Sequence, residues 1–203
     1  YGHILTKQEL NTPKFGCINV HPSLLPKYRG ASPIQSAILN GDKITGVTII
    51  KMDEEVDHGP IIYQDTLELS VMDNFDTLSK KMFLHAAEIL PKIIKDFVNR
   101  KITLIKQNVT IVTFCSNLAK QNVRLVRNGS KWTRACGWCT NNTTPTHEVV
   151  VGMIRAYYPW PSCWTLWNNK VVKFLPGNLF QIEGKKAISF KDFLNGYPSF
   201  PLK

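Results

Sequence analysis

Asn19, His21 and Asp57 are the side chains of this chain whose types suit work on a carbonyl carbon. An amide can donate hydrogens to an oxyanion. A protonated imidazole can stabilise that oxygen and then give its proton to a leaving group, and a carboxylate can raise the imidazole's basicity and relay a proton through water. Together they are the parts needed to pass an acyl group from one nitrogen to another. Asn19 and His21 hold alternate positions of the apolar run Cys17-Ile18-Asn19-Val20-His21, so in a strand they project from one face. Polar groups at the carboxyl end of a buried strand are costly unless paired, which marks them as functional. A histidine satisfied by backbone is the plainer reading of His21. For Asp57, ahead of Gly59, it is a turn-forming aspartate, and a rigid turn would also aim the carboxylate.

The elements that must position these residues follow from periodicity. Residues 6–15 are polar, contain Pro13, and read as a connector into the strand around Ile18. Ser32-Pro33 predicts an N-cap followed by proline at the first helical position, with Gly41 as the stop and Ile34, Ala37 and Ile38 on one face. Thr45 to Met52 and Pro60 to Leu69 predict two strands, separated by an acidic loop from Asp53 to Gly59. From Asn74, the apolar residues Phe75, Leu78, Met82, Ala86, Ile89, Ile93 and Phe97 step at three and four, predicting an amphipathic helix kinked near Pro91. Strands alternating with helices imply an α/β domain with a parallel core. Beyond residue 103 short β-rich runs take over. They include a hairpin turning at Asn168-Asn169 and one helix from Glu148 to Tyr157, with Val150, Ile154 and Tyr157 on one face. That texture fits a small β-barrel with a helix, so the expected domains are residues 1–103 and 104–203.

Charge divides the chain in the same place. Residues 1–103 carry 12 Lys+Arg and 12 Asp+Glu, whereas residues 104–203 carry 13 against 3, so the whole formal charge of +10 lies in the second half. A neutral half joined to a basic half suits a polyanionic substrate, whose phosphates attract clustered Lys and Arg. Arg155, Tyr157, Trp160 and Trp164 mix charge with aromatic rings that serve either as barrel core or as base-stacking surface. Five cysteines, an odd number at irregular spacing, argue for a reducing compartment. Cys136-Gly137-Trp138-Cys139 could be half a zinc site or a redox pair, but further ligands would have to come from Cys115, His147 and Cys163; a local insertion is simpler, and no metal is expected. No apolar run of about 18 residues is present, so no membrane span is expected.

Asn19-x-His21, Ser23-Leu24-Leu25-Pro26 and Asp57-x-Gly59 resemble the folate-dependent formyltransferases. Within that family, Tyr28-Arg29-Gly30-Ala31-Ser32-Pro33-Ile34-Gln35, Thr45-Gly46-Val47-Thr48-Ile49-Ile50-Lys51-Met52-Asp53 and Ile154-Arg155-Ala156-Tyr157-Tyr158-Pro159-Trp160-Pro161 are most similar to the branch acting on methionyl-tRNA. The resemblance is dense over residues 1–100 and 154–195; residues 124–147 and Lys7-Gln8 depart from the pattern. It implies a partial Rossmann-like formyltransferase domain with a parallel sheet, followed by a small OB-like β-barrel domain. Tyr1-Gly2-x-Ile4-Leu5 matches the middle of the first domain, implying an amino-terminally shortened chain. Asn19, His21 and Asp57 would be catalytic. Ser23, Leu24, Leu25 and Pro26 would border the folate, with Ile4, Leu5, Glu55 and Val56 around the pterin. One of Leu5 and Val56 is as readily ordinary core. Arg29 and Gly30 would face the acceptor end of a tRNA, although an exposed solubilising arginine is an equal reading. The implied donor is 10-formyltetrahydrofolate and the implied partner is initiator methionyl-tRNA, for translation initiation by a monomer in the cytoplasm or an organellar matrix. Two rivals keep part of this: a nucleotide-sugar amine as acceptor, or a non-enzymatic RNA-binding module.

Overall fold

Thr6-Lys7-Gln8-Glu9 is a capping box: Glu9 N donates to Thr6 Oγ1 at 3.3 Å and Thr6 N donates to Glu9 Oε2 at 2.7 Å. It opens α1 (Lys7–Asn11) where a connector was expected. The computed structural model describes residues 4–118, 124–128, 131–134 and 147–200. They fall into two compact units, Tyr1–Asn117 and Leu118–Lys203. The first unit therefore continues past residue 103, the boundary suggested by charge.

After α1 come β1 (Ile18–His21), β2 (Arg29–Gly30), α2 (Pro33–Leu39), β3 (Ile44–Lys51), β4 (Ile61–Glu68), α3 (Phe75–Val98), a 3-10 turn at Val109–Ile111 and β5 (Phe114–Cys115). Pro33 starts α2 as expected, but the Ser32 hydroxyl does not cap it and instead donates to Ser116 O at 2.7 Å. Gly41, at φ 66°, closes the helix in the left-handed region. Asn74 and Thr77 form a second capping box at the start of α3, which continues through Pro91 and buries Leu78, Met82, Ala86 and Ile93.

β1, β3 and β4 form an antiparallel sheet in the order β1-β3-β4, whereas parallel pairing joins β2 to β5. β3 returns directly to β4 through a loop, as an antiparallel pair allows, and β1, although separated from β3 by β2 and α2, also pairs with it antiparallel. Register decides which way the polar residues point. Directly opposed residues of an antiparallel pair share a face, and Val20 opposes Ile49 while Asn19 opposes Ile50 and His21 opposes Thr48. Ile49, with Ile62 and Ile93, forms the core beneath α3, and Ile18 and Val20 pack on it. Asn19 and His21 are thereby turned to the other face, where Leu25, Ile50 and Ile61 cluster. A one-residue slip would exchange the two sets.

The second unit holds the hairpin β6 (Leu125–Asn128) and β7 (Lys131–Arg134), α4 (His147–Ala156), the antiparallel strands β8 (Cys163–Trp167), β9 (Lys170–Leu175), β10 (Leu179–Ile182) and β11 (Ile188–Ser189), and α5 (Phe190–Gly196). Asn168 and Asn169 both take positive φ, 47° and 60°, as the tight turn between β8 and β9 requires. Phe174, Phe180, Phe193 and Phe200 stack edge-on or tilted at 5.0–6.3 Å between centroids. On α4 and just after it, Met153, Ala156 and Tyr157 are the buried residues. Among the described residues this four-stranded sheet does not close into a barrel. No described helix is long and apolar enough to cross a membrane.

Candidate active site

The loop from Asp53 to Gly59 brings a carboxylate to the end of β1. Asn19 Nδ2 donates to Asp57 Oδ1 at 3.3 Å, and His21 Nδ1 lies 3.5 Å from Asp57 Oδ2. Gly30 N donates to the same Oδ2 at 2.8 Å. Amide, imidazole and carboxylate thus meet, as their types and spacing had suggested. His21 is 3% exposed, with Nε2 3.0 Å from Tyr28 O, so both ring nitrogens face oxygen acceptors. Burial nevertheless holds its pKa below the ordinary 6.5, with Asp57 and the Tyr28 carbonyl opposing that effect.

The direction of that shift sets a pH dependence. An imidazole in the unfolded chain protonates near 6.5, and the buried one only at lower pH. Between these values the unfolded chain binds more protons, so this contribution is complete above 6.5 and is lost as pH falls through the folded value. The urea midpoint is therefore expected to drop as pH falls below the ordinary imidazole value of 6.5, and His21→Gln should flatten that part of the curve. An equal slope in the variant would assign the pH dependence elsewhere.

Ser23-Leu24-Leu25-Pro26 is fixed from the sheet below. Thr48 Oγ1 donates to Ser23 O at 2.6 Å and accepts from Leu25 N at 3.1 Å and Gln64 Nε2 at 2.8 Å. Ser23, Leu25 and Pro26 are buried and Leu24 is half-buried. A cavity of about 250 Å³ beside the loop is lined by Leu24, Leu25, Pro26, Asp42, Thr45 and Gln64 among others. Gly46 allows the close approach of β4, since a Cβ there would meet the Asp65 backbone carbonyl at 2.1 Å and also crowd Leu24 Cδ2 at 2.5 Å. Ile4 and Val56 are 70% and 50% exposed, Glu55 is exposed and Leu5 is half-buried. Lys7 Nζ, 3.1 Å from Glu54 Oε1, tethers the segment after Leu5 to the acidic loop. His58, next to Asp57, is oriented by Asp53 Oδ2 at 2.7 Å.

Arg29 is not an exposed group facing a substrate. It is 4% exposed and donates from Nε and Nη2 to Gln107 Oε1 at 3.1 and 2.8 Å. Gln107 in turn donates from Nε2 to Asp57 O and Gly59 O, each at 2.8 Å. Cys115 is a free thiol whose pKa is pushed up by burial. Cys136 and Cys139 lie outside the described residues. Among the described residues no three His, Cys, Asp or Glu side chains gather as metal ligands.

Residues 1–94 match the formyl transferase family model. The chain is 34% identical over 226 residues to methionyl-tRNA formyltransferase of Thermodesulfovibrio yellowstonii, covering 97% of this chain and 68% of that one. The chain belongs to the methionyl-tRNA formyltransferase family. It spans half the length of the family member from Buchnera aphidicola subsp. Acyrthosiphon pisum, at 38% identity over 173 residues and 85% of this chain. Among solved structures, a sugar 3N-formyltransferase in the presence of dTDP and 5-N-formyl-THF superposes with a TM-score of 0.61 at 20% identity, covering 83% of this chain and 66% of that one, and so shares the fold. The formyltransferase motifs pointed to Asn19, His21 and Asp57; of three supports of the candidate site, Gln64 and Gln107 lay outside the motifs, and Thr48 lay inside one without being singled out. Thr48 and Gln64 were visible as polar residues inside strands, whereas nothing local marked Gln107.

Proposed function

We propose that this chain carries the formyl-transfer site of its family, moving a formyl group from 10-formyltetrahydrofolate to the α-amino group of methionine on initiator tRNA. The observation that carries this reading is the convergence of Asn19, His21 and Asp57 on one face of β1. The attacking nitrogen bonds to the formyl carbon, whose oxygen becomes an oxyanion. Asn19 offers an amide hydrogen to that oxygen, and His21 stabilises it. The carbon–nitrogen bond to the folate then breaks, and the proton lost by the attacking amine returns, through Asp57 and His21, to the departing nitrogen. Ser23, Leu24, Leu25 and Pro26 border the folate, with Ile4, Leu5, Glu55 and Val56 around its pterin. The exposed apolar surface of Ile4 and Val56 gives a flat ring something to cover. Gly30 would lie beside the acceptor with its amide held on Asp57, and Arg29 works behind it through Gln107.

The second unit is read as an OB-like tRNA-binding domain. Its strongest support is a groove of about 460 Å³ lined by Trp160, Trp164 and Lys173 among others, with Trp160 55% exposed and the Arg124 guanidinium 5.4 Å from the Trp164 ring. A nucleotide-sugar acceptor would not need the formal charge of +10 that residues 104–203 carry. The deciding assay compares charged initiator tRNA with amino-sugar nucleotides as formyl acceptors for the full-length protein. Formylation of the tRNA, with KM rising steeply with salt, is the expected result; preference for the sugar would overturn the acceptor, and no transfer to either would leave only an RNA-binding role.

A further inference from the structure

Asp57 is held from two directions by neighbouring residues, at its carboxylate and at its backbone carbonyl. Gly30 N holds Oδ2 directly. Arg29, one residue earlier, reaches the same turn through Gln107. The Gln107 amide has two donors of Arg29 against its oxygen and two carbonyls, those of Asp57 and Gly59, against its nitrogen. Flipping that amide would break every one of these contacts, so its orientation is fixed. Arg29 is buried, and its planar fork suits this two-point contact where a lysine would not. Asp57 sits at φ 50°, a left-handed conformation that aspartate adopts in turns, and the Gln107 amide bonds the carbonyls on both sides of its neighbour His58.

Resting on the reading of the reaction above, we propose that Gln107 is a positioning residue for formyl transfer: clamped by Arg29, it sets the Asp57 turn so that the carboxylate reaches both His21 and Asn19. No atom of Gln107 is required to touch substrate. Its action is on the backbone of the residue that does.

The test uses Gln107→Glu and Gln107→Leu in the full-length protein. Glutamate keeps the oxygen that Arg29 holds and preserves the buried cation's partner, but sets a second oxygen against two carbonyls. Leucine removes all four contacts at similar volume. Both are expected to lower kcat about 10- to 100-fold at unchanged KM for folate and tRNA, as misplacement of a catalytic group does. The His21 imidazole, followed by NMR, is expected to titrate at lower pH in both variants as Asp57 moves away. Arg29→Lys should reproduce part of the effect, and combining it with Gln107→Leu should add little. Normal kcat per folded molecule with an unmoved His21 titration in the glutamate variant would overturn the proposal. If the unmodified protein formylates nothing, the reading of the reaction falls, while the His21 titration still decides whether Gln107 positions Asp57.

Discussion

Asp57→Asn is expected to lower formyl transfer by about 10²–10⁴-fold, the range lost when a positioned proton carrier is removed. The substitution is nearly isosteric, and asparagine tolerates the left-handed backbone that Asp57 adopts at φ 50°, so the turn should survive. What does not survive is the pattern of acceptors. The carboxylate uses one oxygen for Asn19 and the other for Gly30 N, and that second oxygen also faces His21. A carboxamide has a single oxygen, so an NH₂ group must oppose either the Asn19 amide or the Gly30 amide. Donor meets donor on one side, and His21 loses the negative charge that supports its protonated form. Single-turnover rates on charged tRNA, read beside thermal unfolding, separate chemistry from folding. A variant retaining more than a tenth of the rate would show that Asp57 only shapes the turn.

Gly30→Ala should damage the fold and the site together. Gly30 has φ 110°, beyond the left-handed helical region, and a Cβ there would lie 2.2 Å from Cys115 O. Relief requires β2 and β5 to separate, which also withdraws Gly30 N from Asp57. Backbone strain and overpacking together cost about 3 kcal/mol or more, equivalent to a fall in thermal midpoint of roughly 10 °C for a domain of this size. Gly41→Ala is the matched control. Gly41 also has positive φ, at 66°, but a Cβ there meets nothing within 4 Å. Only the conformational cost of about 1 kcal/mol remains. Equal losses in the two variants would show that the close approach to Cys115 is unimportant.

Much of the site was legible because its two strand residues follow a local rule. Asn19 and His21 interrupt an apolar run at period two, and a buried strand has few structural uses for such interruptions. The hairpin at Asn168-Asn169 and the starts of α2 and α3 were legible for the same reason, since turn and cap chemistry act within a few residues. The capping box at Thr6 and Glu9 was equally local, but the short helix it starts buries only Leu10, too little apolar periodicity to stand out. Ser32 shows the limit of a local rule. It occupies the N-cap position, yet its hydroxyl finds Ser116 instead. The burial of Arg29 could not be read at all, because its partner lies 78 residues along the chain. The antiparallel direction of the site-bearing sheet was likewise hidden, because strand periodicity is blind to direction.

The Gln107 clamp also fixes an order of events. Ribosomes deliver the strand bearing Asn19 and His21 and the loop bearing Asp57 first, and the segment from Ile105 to Cys115 that bridges to Ile61, holds the Asp57 turn and pairs with β2 emerges later. The contacts that hold the Asp57 turn therefore wait on the segment that directly follows α3.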